Sequence, residues 1–241
     1  MPVQTTTPLS RSTLADLPGD VARPAYARDD LSPGILHFGV GNFHRAHLQV
    51  YLDRLMNAGR DRDWAVVGAG VTPHDTKMRA ALTGQDLLST VVEQSAEVSS
   101  ARVTGVMTDY LPPMDSPAII AALSDPAIRI VTLTVTEGGY FVNPATGRFD
   151  PENPAVAADA RAPEAPKTVF GLILAGLKAR RAAGTAPFTV LSCDNVPHNG
   201  KVCRDAVAGL AEAQDAALAA WVREAVAFPN AMVDRIATVT T

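Results

Sequence analysis

The segment that decides the fold reads Gly39-Val40-Gly41-Asn42-Phe43-His44-Arg45-Ala46-His47 and directly follows a short apolar run. A G-x-G pair between a strand and a helix is typical of a dinucleotide-binding turn. The first glycine permits the tight turn, and the second lacks a Cβ, so that a pyrophosphate can approach the backbone. His44 replaces the usual third glycine, and we expect Ala46 to allow close helix–strand packing. A G-x-G alone also ends many ordinary strands, so the flanking sequence has to decide between the two interpretations.

The sequence around this turn alternates apolar runs with helical patterns. The runs are rich in Val, Ile and Leu without clean alternation, which is typical of strands buried on both faces. The repeated strand–helix–strand order predicts an α/β fold: a doubly wound, mostly parallel sheet of Rossmann type with right-handed crossovers. We predict strands at residues 35–40, 64–68, 129–135 and 188–193, with weaker candidates at 87–92 and 102–107. We predict helices at residues 43–57, 74–82, 117–123, 167–182 and 201–226.

Composition divides the chain into an arm and a main domain. Residues 1–33 are rich in Thr, Ser, Pro and Asp and show no sustained period, so we expect an N-terminal arm that packs on the domain. Residues 34–228 contain the repeated strand–helix units and form the predicted dinucleotide-binding domain. The Pro-rich stretch 150–166 predicts a surface excursion within this domain, because a further helix and strand follow it.

The bulk composition argues against several classes of protein. Of the 241 residues, 47% are hydrophobic and 19% are charged, and the formal net charge of -4 offers no basic surplus to attract nucleic acid. No apolar stretch reaches the roughly 18 residues that a membrane-spanning helix needs, so we expect no membrane association. The polar N-terminus lacks a signal-peptide core, and two cysteines do not make a disulfide framework. We therefore expect a cytoplasmic protein.

Two polar residues follow predicted strands, at the edge where open α/β sheets bind ligands. Glu137 follows the run 129–135, and a carboxylate there can serve a proton path or simply cap backbone amides of the turn. Asn195 follows the run 188–193. Its amide can donate a hydrogen bond to an alcohol oxygen that becomes an alkoxide as a hydride leaves its carbon, or it can be an ordinary turn asparagine.

Asp75 bears on the choice of cofactor. An acidic residue after the second strand can bind the adenosine ribose hydroxyls and repel a 2′-phosphate, or it can cap a helix turn. The nearby His74, Lys77 and Arg79 could instead accept a phosphate. We expect NAD, with NADP as the alternative.

Histidines and cysteines do not indicate a metal site. Cys193, His198 and Cys203 match no standard zinc spacing, so we predict no metal and a zinc-independent protein. His44 and His47 lie beside an arginine, and we expect them to face phosphate or solvent.

Four separated stretches of the sequence, supported by a shorter fifth, resemble the mannitol dehydrogenase family of long-chain, polyol-specific dehydrogenases. The resemblance runs from about residue 30 to the end of the sequence. The four are Phe38 to His47, Thr134-Val135-Thr136-Glu137-Gly138-Gly139-Tyr140, Ser192-Cys193-Asp194-Asn195-Val196-Pro197-His198-Asn199-Gly200 and Phe228-Pro229-Asn230-Ala231-Met232-Val233-Asp234-Arg235-Ile236, and Pro166-Lys167-Thr168-Val169-Phe170-Gly171 also fits.

The resemblance implies an oxidoreductase with a Rossmann-type N-terminal domain. It implies reversible hydride transfer between NAD or NADP and a secondary alcohol of a polyol. The polyol or ketose substrate would be the mannitol–fructose pair, a related sugar alcohol or a hexuronate. A non-catalytic dinucleotide-binding module, or a fragment without activity of its own, is the alternative.

The resemblance also implies roles for single residues. It favours Asn195 as the group that binds the reacting oxygen, Glu137 as a proton relay, and Asp234 on the substrate side of the site. An Asp234–Arg235 charge pair with a structural role is the alternative for Asp234. The expected cofactor-binding residues are Phe38, Gly39, Val40, Gly41, Asn42, Phe43, Arg45, Asp75 and Thr136.

One departure from the family concerns the catalytic base. In the family, the general-base lysine lies on a helix of a helical C-terminal catalytic domain, and none of Lys77, Lys167, Lys178 and Lys201 falls in the matching motif. We therefore expect the sequence to be the cofactor-binding half, with residues 229–241 starting the link to that C-terminal domain, which is missing from the sequence.

Overall fold

The computed structural model describes residues 8–97, 99–234 and 237. Within them, the chain forms nine β-strands and seven α-helices. The strands are β1 (Pro33–Phe38), β2 (Ala65–Ala69), β3 (Ser89–Gln94), β4 (Ser99–Thr104), β5 (Met107–Tyr110), β6 (Ile130–Leu133), β7 (Val142–Asn143), β8 (Arg148–Phe149) and β9 (Thr189–Ser192). The helices are α1 (Gln49–Asn57), α2 (Pro73–Thr83), α3 (Ser116–Ser124), α4 (Pro154–Arg161), α5 (Val169–Ala182), α6 (Asn199–Glu212) and α7 (Ala216–Ala225).

Among the described residues, five strands form a parallel sheet in the order β5-β2-β1-β6-β9. Numbered by their own succession along the chain, these strands lie in the order 3-2-1-4-5, which is the Rossmann order. The order reverses between β1 and β6, and sheets of this kind bind ligands outside the carboxyl ends of the strands at such a reversal. The predicted doubly wound α/β fold is therefore confirmed. β3 pairs with β4, and β7 with β8, as antiparallel hairpins outside this sheet.

The sheet carries an apolar cluster on each face. Successive side chains of a strand point to opposite faces, and Leu36 and Phe38 of β1 belong to one cluster whereas Ile35 belongs to the other. Helices α3, α5, α6 and α7 complete the first cluster, and α1 and α2 complete the second. Burial on both faces explains why these strands lack an alternating sequence pattern.

Several predicted elements need correction. The four stronger strand predictions correspond to β1, β2, β6 and β9, but the candidate at 102–107 merges the end of β4 with the start of β5. Of these two strands, β5 belongs to the parallel sheet and β4 pairs with β3 in a hairpin. The predicted helix 201–226 is two helices, because the Asp215 carboxylate accepts a hydrogen bond from the Ala217 amide at 2.8 Å and begins α7 there.

The Pro-rich stretch 150–166 contains a helix that was not predicted. Asn153 caps α4 through the amide of Ala155 at 3.0 Å, and Pro154 occupies the first helical position, where its missing N–H costs nothing. Val156 of this helix is buried in the first apolar cluster. The proline that suggested a surface excursion is thus a helix start.

The described part of the arm contacts α1 and β4. Tyr26 is buried, and its hydroxyl donates a hydrogen bond of 2.8 Å to the Asp53 carboxylate on α1. Ala22 forms an isolated parallel bridge with Arg102 of β4. The boundaries that we predict after residues 33 and 228 remain predictions.

Candidate functional site

A cavity of about 430 Å³ opens at the carboxyl ends of β1, β2 and β6, where the strand order reverses. Its wall comes from the glycine turn after β1, the turn after β2, the segment after β6 and the start of α5. The lining residues are Phe38, Gly39, Val40, Gly41, Gly70, Val71, Thr72, His74, Asp75, Thr134, Val135, Thr136, Gly139, Phe141, Lys167, Thr168 and Val169. Six of the nine predicted cofactor-binding residues are therefore in the wall: Phe38, Gly39, Val40, Gly41, Asp75 and Thr136.

The two glycines of the turn serve different purposes. Gly39 has a φ of 87°, which favours glycine, and a Cβ there would collide with the carbonyl oxygen of Thr134. Gly41 is different, because the nearest atom outside its two chain neighbours to a Cβ placed there is the Gly39 carbonyl oxygen at 3.8 Å. Gly39 is thus required by the fold, whereas the absent side chain of Gly41 leaves space in the cavity wall.

The chain after the glycine turn begins as a π-helical turn (His44–Leu48) before α1 continues it. The expectation that His44 faces phosphate or solvent is wrong, because its side chain is 1% exposed. Its ring stacks on the His37 ring of β1 with centroids 3.8 Å apart and planes 18° from parallel. The imidazole thus fills the position where the usual pattern has a glycine.

His37 ties the turn to the sheet. Its Nε2 lies 3.0 Å from the Gly39 carbonyl oxygen, which can only accept, so Nε2 carries the proton. Its Nδ1 then accepts a hydrogen bond of 2.7 Å from the Thr132 hydroxyl. Burial lowers the pKa of His37 to about 4. Burial also lowers the pKa of His44, and the neighbouring His37 and Arg45 add to that effect.

Arg45 braces the turn instead of lining the cavity. Its Nη1 donates a hydrogen bond of 3.1 Å to the Val40 carbonyl, and its Nη2 donates one of 2.6 Å to Asn42 Oδ1. Burial lowers the pKa of the Arg45 guanidinium. Neither Arg45 nor Asn42 nor Phe43 is among the lining residues. The roles predicted for these three in binding a cofactor remain predictions.

Asp75 lines the cavity and also caps α2. Its Oδ2 accepts hydrogen bonds from the Thr72 amide at 2.9 Å, the Thr72 hydroxyl at 2.6 Å and the Val71 amide at 3.1 Å. The Thr72 side chain accepts in turn from the Asp75 amide, which completes a capping box. The structure therefore contains the capping interaction that the sequence left as an alternative. The predicted contact with a ribose remains a prediction.

The segment after β6 holds a backbone conformation that is costly for a side chain. Thr136 has φ 65° and ψ 164°, a region that is almost confined to glycine, and it is one of the residues that line the cavity. Glu137 comes next and begins a 3-10 turn (Glu137–Tyr140) with its side chain exposed. Glu137 itself is not among the residues that line the cavity.

Asp194 is a residue whose role sequence reasoning missed, although it stands beside Asn195. Its Oδ2 accepts hydrogen bonds from the Val135 amide at 3.0 Å and from the Tyr140 hydroxyl at 2.7 Å, and its Oδ1 accepts one from the Thr136 amide at 3.1 Å. The carboxyl ends of β6 and β9 are thereby joined. The position of Asp194 after a strand, one residue before Asn195, was the signal available in the sequence.

The other two predicted catalytic residues are exposed. Asn195 follows Asp194 after β9 and is not among the cavity-lining residues, nor is Asp234 near the end of the described chain. Arg235, the proposed partner of Asp234 in the structural alternative, lies outside the described residues. The structure thus brings Asn195 and Glu137 to neighbouring strand ends, and their roles remain predictions.

Neither the cysteines nor the carboxylates form a recognisable metal site in the part of the chain that the structure describes. Cys193 is half-buried and Cys203 is buried, and both are free thiols. Burial raises the pKa of Cys193 to about 11 and that of Cys203 to about 12. Across residues 8–97, 99–234 and 237, no helix is long and apolar enough to cross a membrane.

The wall around Gly41 suits a dinucleotide. The turn lies between a parallel strand and the start of a helix, where backbone amides attract a phosphate, and the space beside Gly41 is free of protein atoms to 3.8 Å. The cavity of about 430 Å³ reaches from this turn to Asp75 on one side and to Thr136 on the other. A Rossmann domain binds the pyrophosphate of its cofactor at such a turn, and contacts of Asp75 and Thr136 with a cofactor remain predictions.

Comparison with known proteins gives consistent matches along nearly the whole chain. The family model for the mannitol dehydrogenase Rossmann domain matches residues 33–241. A mannitol 2-dehydrogenase from Cereibacter sphaeroides is 59% identical over 221 residues, which are 91% of this chain and 46% of the relative. A polyol:NADP oxidoreductase from Gluconobacter oxydans is 48% identical over 232 residues, which are 95% of this chain and 47% of the relative.

A solved structure agrees with these sequence matches. The Pseudomonas fluorescens mannitol 2-dehydrogenase in ternary complex with NAD and D-mannitol superposes with a TM-score of 0.91 at 45% identity, covering 95% of this chain and 47% of that one. The chain therefore spans about half the length of the relatives it matches.

Proposed function

The chain belongs to the mannitol dehydrogenase family, and we propose that it binds a nicotinamide dinucleotide and supplies the cofactor side of a polyol dehydrogenase. The observation that carries this proposal is the open space beside Gly41, at the strand reversal where Rossmann sheets bind dinucleotides. The substrate class is a polyol or its ketose, such as mannitol and fructose, another sugar alcohol or a hexuronate. When bound, the nicotinamide ring accepts the hydride that leaves the alcohol carbon.

The cofactor would lie along the wall from Asp75 to Thr136. Gly39 and Gly41 keep the first turn tight and free of side chains, so that backbone amides can meet the pyrophosphate. Asp75 faces the adenosine ribose, and its negative charge disfavours a 2′-phosphate, so we propose NAD before NADP. Phe38, Val40 and Thr136 supply the rest of the wall on the nicotinamide side. Asn42, Phe43 and Arg45 support the turn from outside the cavity.

The catalytic residues would act at the carboxyl ends of β6 and β9. We assign Asn195 to donate a hydrogen bond to the oxygen that becomes an alkoxide as the hydride departs. Glu137, exposed after β6, would pass the released proton towards solvent. Asp234 would bind a substrate hydroxyl. The base that first takes the hydroxyl proton would be the lysine of the family's C-terminal domain, a partner for this half of the site.

We also propose a cytoplasmic location, and the argument rests on the state of the two cysteines. Both cysteines are free, which is the ordinary state in the reducing cytoplasm, and we place the enzyme there. We propose neither a nucleic-acid partner nor a metal for the reaction.

Titration calorimetry with NADH tests the cofactor assignment directly. We expect measurable binding by the chain and its loss in Gly41→Val, because the new side chain would occupy the space of the pyrophosphate. Gly19→Val is the matched control, because a Cβ at Gly19 meets no atom within 4 Å and Gly19 lies in the arm, outside the cavity lining. If Gly41→Val bound NADH as tightly as the unaltered chain and Gly19→Val do, the glycine turn would not be part of the cofactor site.

Turnover by the enzyme expressed from its complete gene tests the reaction. We expect formation of NADH with at least one of mannitol, sorbitol and arabinitol. Tight NADH binding without turnover of any polyol or hexuronate would favour a non-catalytic dinucleotide-binding module.

A further inference from the structure

The carboxylate of Asp194 connects two strand ends that are far apart in sequence. It accepts hydrogen bonds from the Val135 and Thr136 amides after β6, whereas Asp194 itself follows β9. Glu137 is the next residue after Thr136, and Asn195 is the next after Asp194. Beyond the backbone ladder of β6 and β9, Asp194 therefore adds side-chain bonds between the two segments that carry these proposed catalytic residues.

The orientation of the Asp194 carboxylate is fixed by a closed ring of hydrogen bonds. Its backbone amide donates to the Ser192 hydroxyl oxygen at 3.3 Å, and the Ser192 and Tyr140 hydroxyl oxygens lie 2.6 Å apart. The Tyr140 hydroxyl donates to Asp194 Oδ2 at 2.7 Å. Because the Tyr140 proton is used on the carboxylate, Ser192 donates to Tyr140. Tyr140 is 1% exposed and packs on Phe170 with ring centroids 5.3 Å apart, so the ring is anchored in the core.

The bonds to Asp194 hold the backbone of Thr136 in its costly conformation. A residue other than glycine is strained at φ 65° and ψ 164°, and this conformation persists only where its surroundings enforce it. The amides of Val135 and Thr136 both point at one carboxylate, which supplies such enforcement. Without it, Thr136 would relax, and Glu137 would move with it.

A second connection runs from Asp194 to the last described segment. The Asn199 side chain donates to the Asp194 carbonyl at 3.2 Å and to the Ala231 carbonyl at 2.9 Å, and it accepts from the Ala231 amide at 2.9 Å. Ala231 lies three residues before Asp234 in the sequence. The segments that carry Glu137, Asn195 and Asp234 are thus linked through Asp194.

We propose that Asp194 is a positioning residue that sets Glu137 and Asn195 relative to each other and to the bound polyol, through its bonds to the Val135 and Thr136 amides and to Tyr140. The inference rests on the proposed function, because it assigns Asp194 no contact with cofactor or substrate. Its consequence is a specific loss: the cofactor still binds at the glycine turn, but the alcohol no longer meets its donor and proton path in the productive geometry.

Asp194→Asn in the enzyme expressed from its complete gene tests the proposal. The substituted amide group has a similar shape, but its NH2 faces donors and cannot accept from all three of them. We expect kcat to fall by about 10-fold to 100-fold, with the NADH dissociation constant and the polyol KM changed by less than about threefold. Tyr140→Phe, which removes one donor and keeps the packed ring, should give a smaller loss of the same kind.

Hydrogen–deuterium exchange supplies a second readout that does not depend on turnover. Amides in residues 133–141 should exchange about tenfold faster or more in Asp194→Asn, because the strand end loses its anchor. Asp215→Ala is the matched control: it also removes a carboxylate that accepts a backbone amide, but at the start of α7 and away from the cavity. This control should change neither kcat nor exchange in residues 133–141.

Three results would contradict the inference, and they are distinguishable. An unchanged kcat in folded Asp194→Asn would exclude a positioning role. Unchanged exchange would show that the strand end does not depend on the carboxylate. A proportional loss of NADH affinity and kcat would indicate a general structural role. Failure of the proposed function would appear differently, as absence of polyol-dependent turnover in the unaltered enzyme. That result would also reject the effect on kcat that we infer for Asp194.

Discussion

The imidazole rings of His37 and His44 stack 3.8 Å apart beneath the glycine turn, and both are buried. This stack occupies the interval between β1 and the following helix that a third glycine usually keeps small. The π-helical turn (His44–Leu48) accompanies the larger side chain. Such turns are rare and often occur at functional sites, which agrees with its place directly after Gly41.

The stacked pair should make the stability of the protein depend on pH. His37 has a folded-state pKa of about 4 against an unfolded value near 6.5, and the pKa of His44 is lowered in the same direction. Between these two pKa values the unfolded chain binds more protons than the folded chain. The contribution of the histidines to the free energy of unfolding is therefore fully present above about pH 6.5 and decreases as the pH falls towards 4. The loss is about 1.4 kcal/mol per pH unit for each histidine.

Urea denaturation at pH 7.5 and pH 5 checks this prediction, with His44→Phe as the comparison. The phenyl ring can stack but cannot titrate, so the pH-dependent loss should shrink by about half. His44→Leu serves if the larger ring does not fit. The raised pKa of the buried Asp53 acts in the opposite sense, but it is common to all the proteins and cancels in the comparison. An equal loss in wild type and variants would mean that His44 is not the titrating group.

The sequence predicted the ends of the strands better than the contacts between them. Local pattern predicted the glycine turn and the strand before it, because the backbone conformation of Gly39 and the burial of β1 depend on a few consecutive residues. It also placed Glu137 and Asn195 just after strands. It did not predict the role of Asp194, since its partners Val135 and Thr136 are 59 and 58 residues away. Local pattern carries no information on which distant amide a carboxylate will meet.

The burial of His44 is a second feature that local sequence pattern did not predict. Its neighbours Arg45 and His47 suggest a polar, phosphate-facing surface when they are taken along the sequence. The side chain is instead buried by stacking on His37, which lies on a different element. Burial of a polar ring of this kind depends on how the helix packs on the strand, and the residues next to His44 in the sequence do not reveal that packing.

Asp75→Asn should separate cofactor choice from helix capping. We expect loss of about 1 kcal/mol of stability, because the capping box at Thr72 is weakened. If the carboxylate also faces the ribose, the dissociation constant for NADH should rise and that for NADPH should fall, changing their ratio by about tenfold. Calorimetry with both cofactors measures the ratio.

Asp115→Ala is the control for this comparison. Asp115 caps α3 through the Ala118 amide at 3.1 Å and is not among the cavity-lining residues, so the variant should lose stability without any change in the ratio. The same behaviour in Asp75→Asn would restrict Asp75 to capping.

Asn195→Ala in the complete enzyme should lower kcat by about 10²-fold, with little change in NADH affinity. A donor to a developing alkoxide acts mainly in the transition state, so its loss appears in kcat more than in binding. Steady-state kinetics with mannitol, together with NADH titration, gives both quantities. Asn153→Ala, which removes the cap of α4 and changes no cavity-lining residue, controls for loss of stability. A variant that lost stability but kept its turnover would return Asn195 to the role of a turn residue.

The chain of residues 1–241 expressed alone should bind NADH without oxidising polyols at an appreciable rate. Hydride transfer from an alcohol needs a base within roughly 2.6–3.2 Å of the hydroxyl, and we assign that base to the family's C-terminal domain. Among the described residues that line the cavity, Lys167 is the one lysine, and it lies outside the motif that carries the family's base. The decisive assay follows NADH formation from mannitol, sorbitol and arabinitol at mildly alkaline pH, with the enzyme from the complete gene as the positive reference. Turnover that copurifies with the 25.3 kDa chain, and that disappears in Lys167→Met or Glu137→Gln, would place the base within this half of the site.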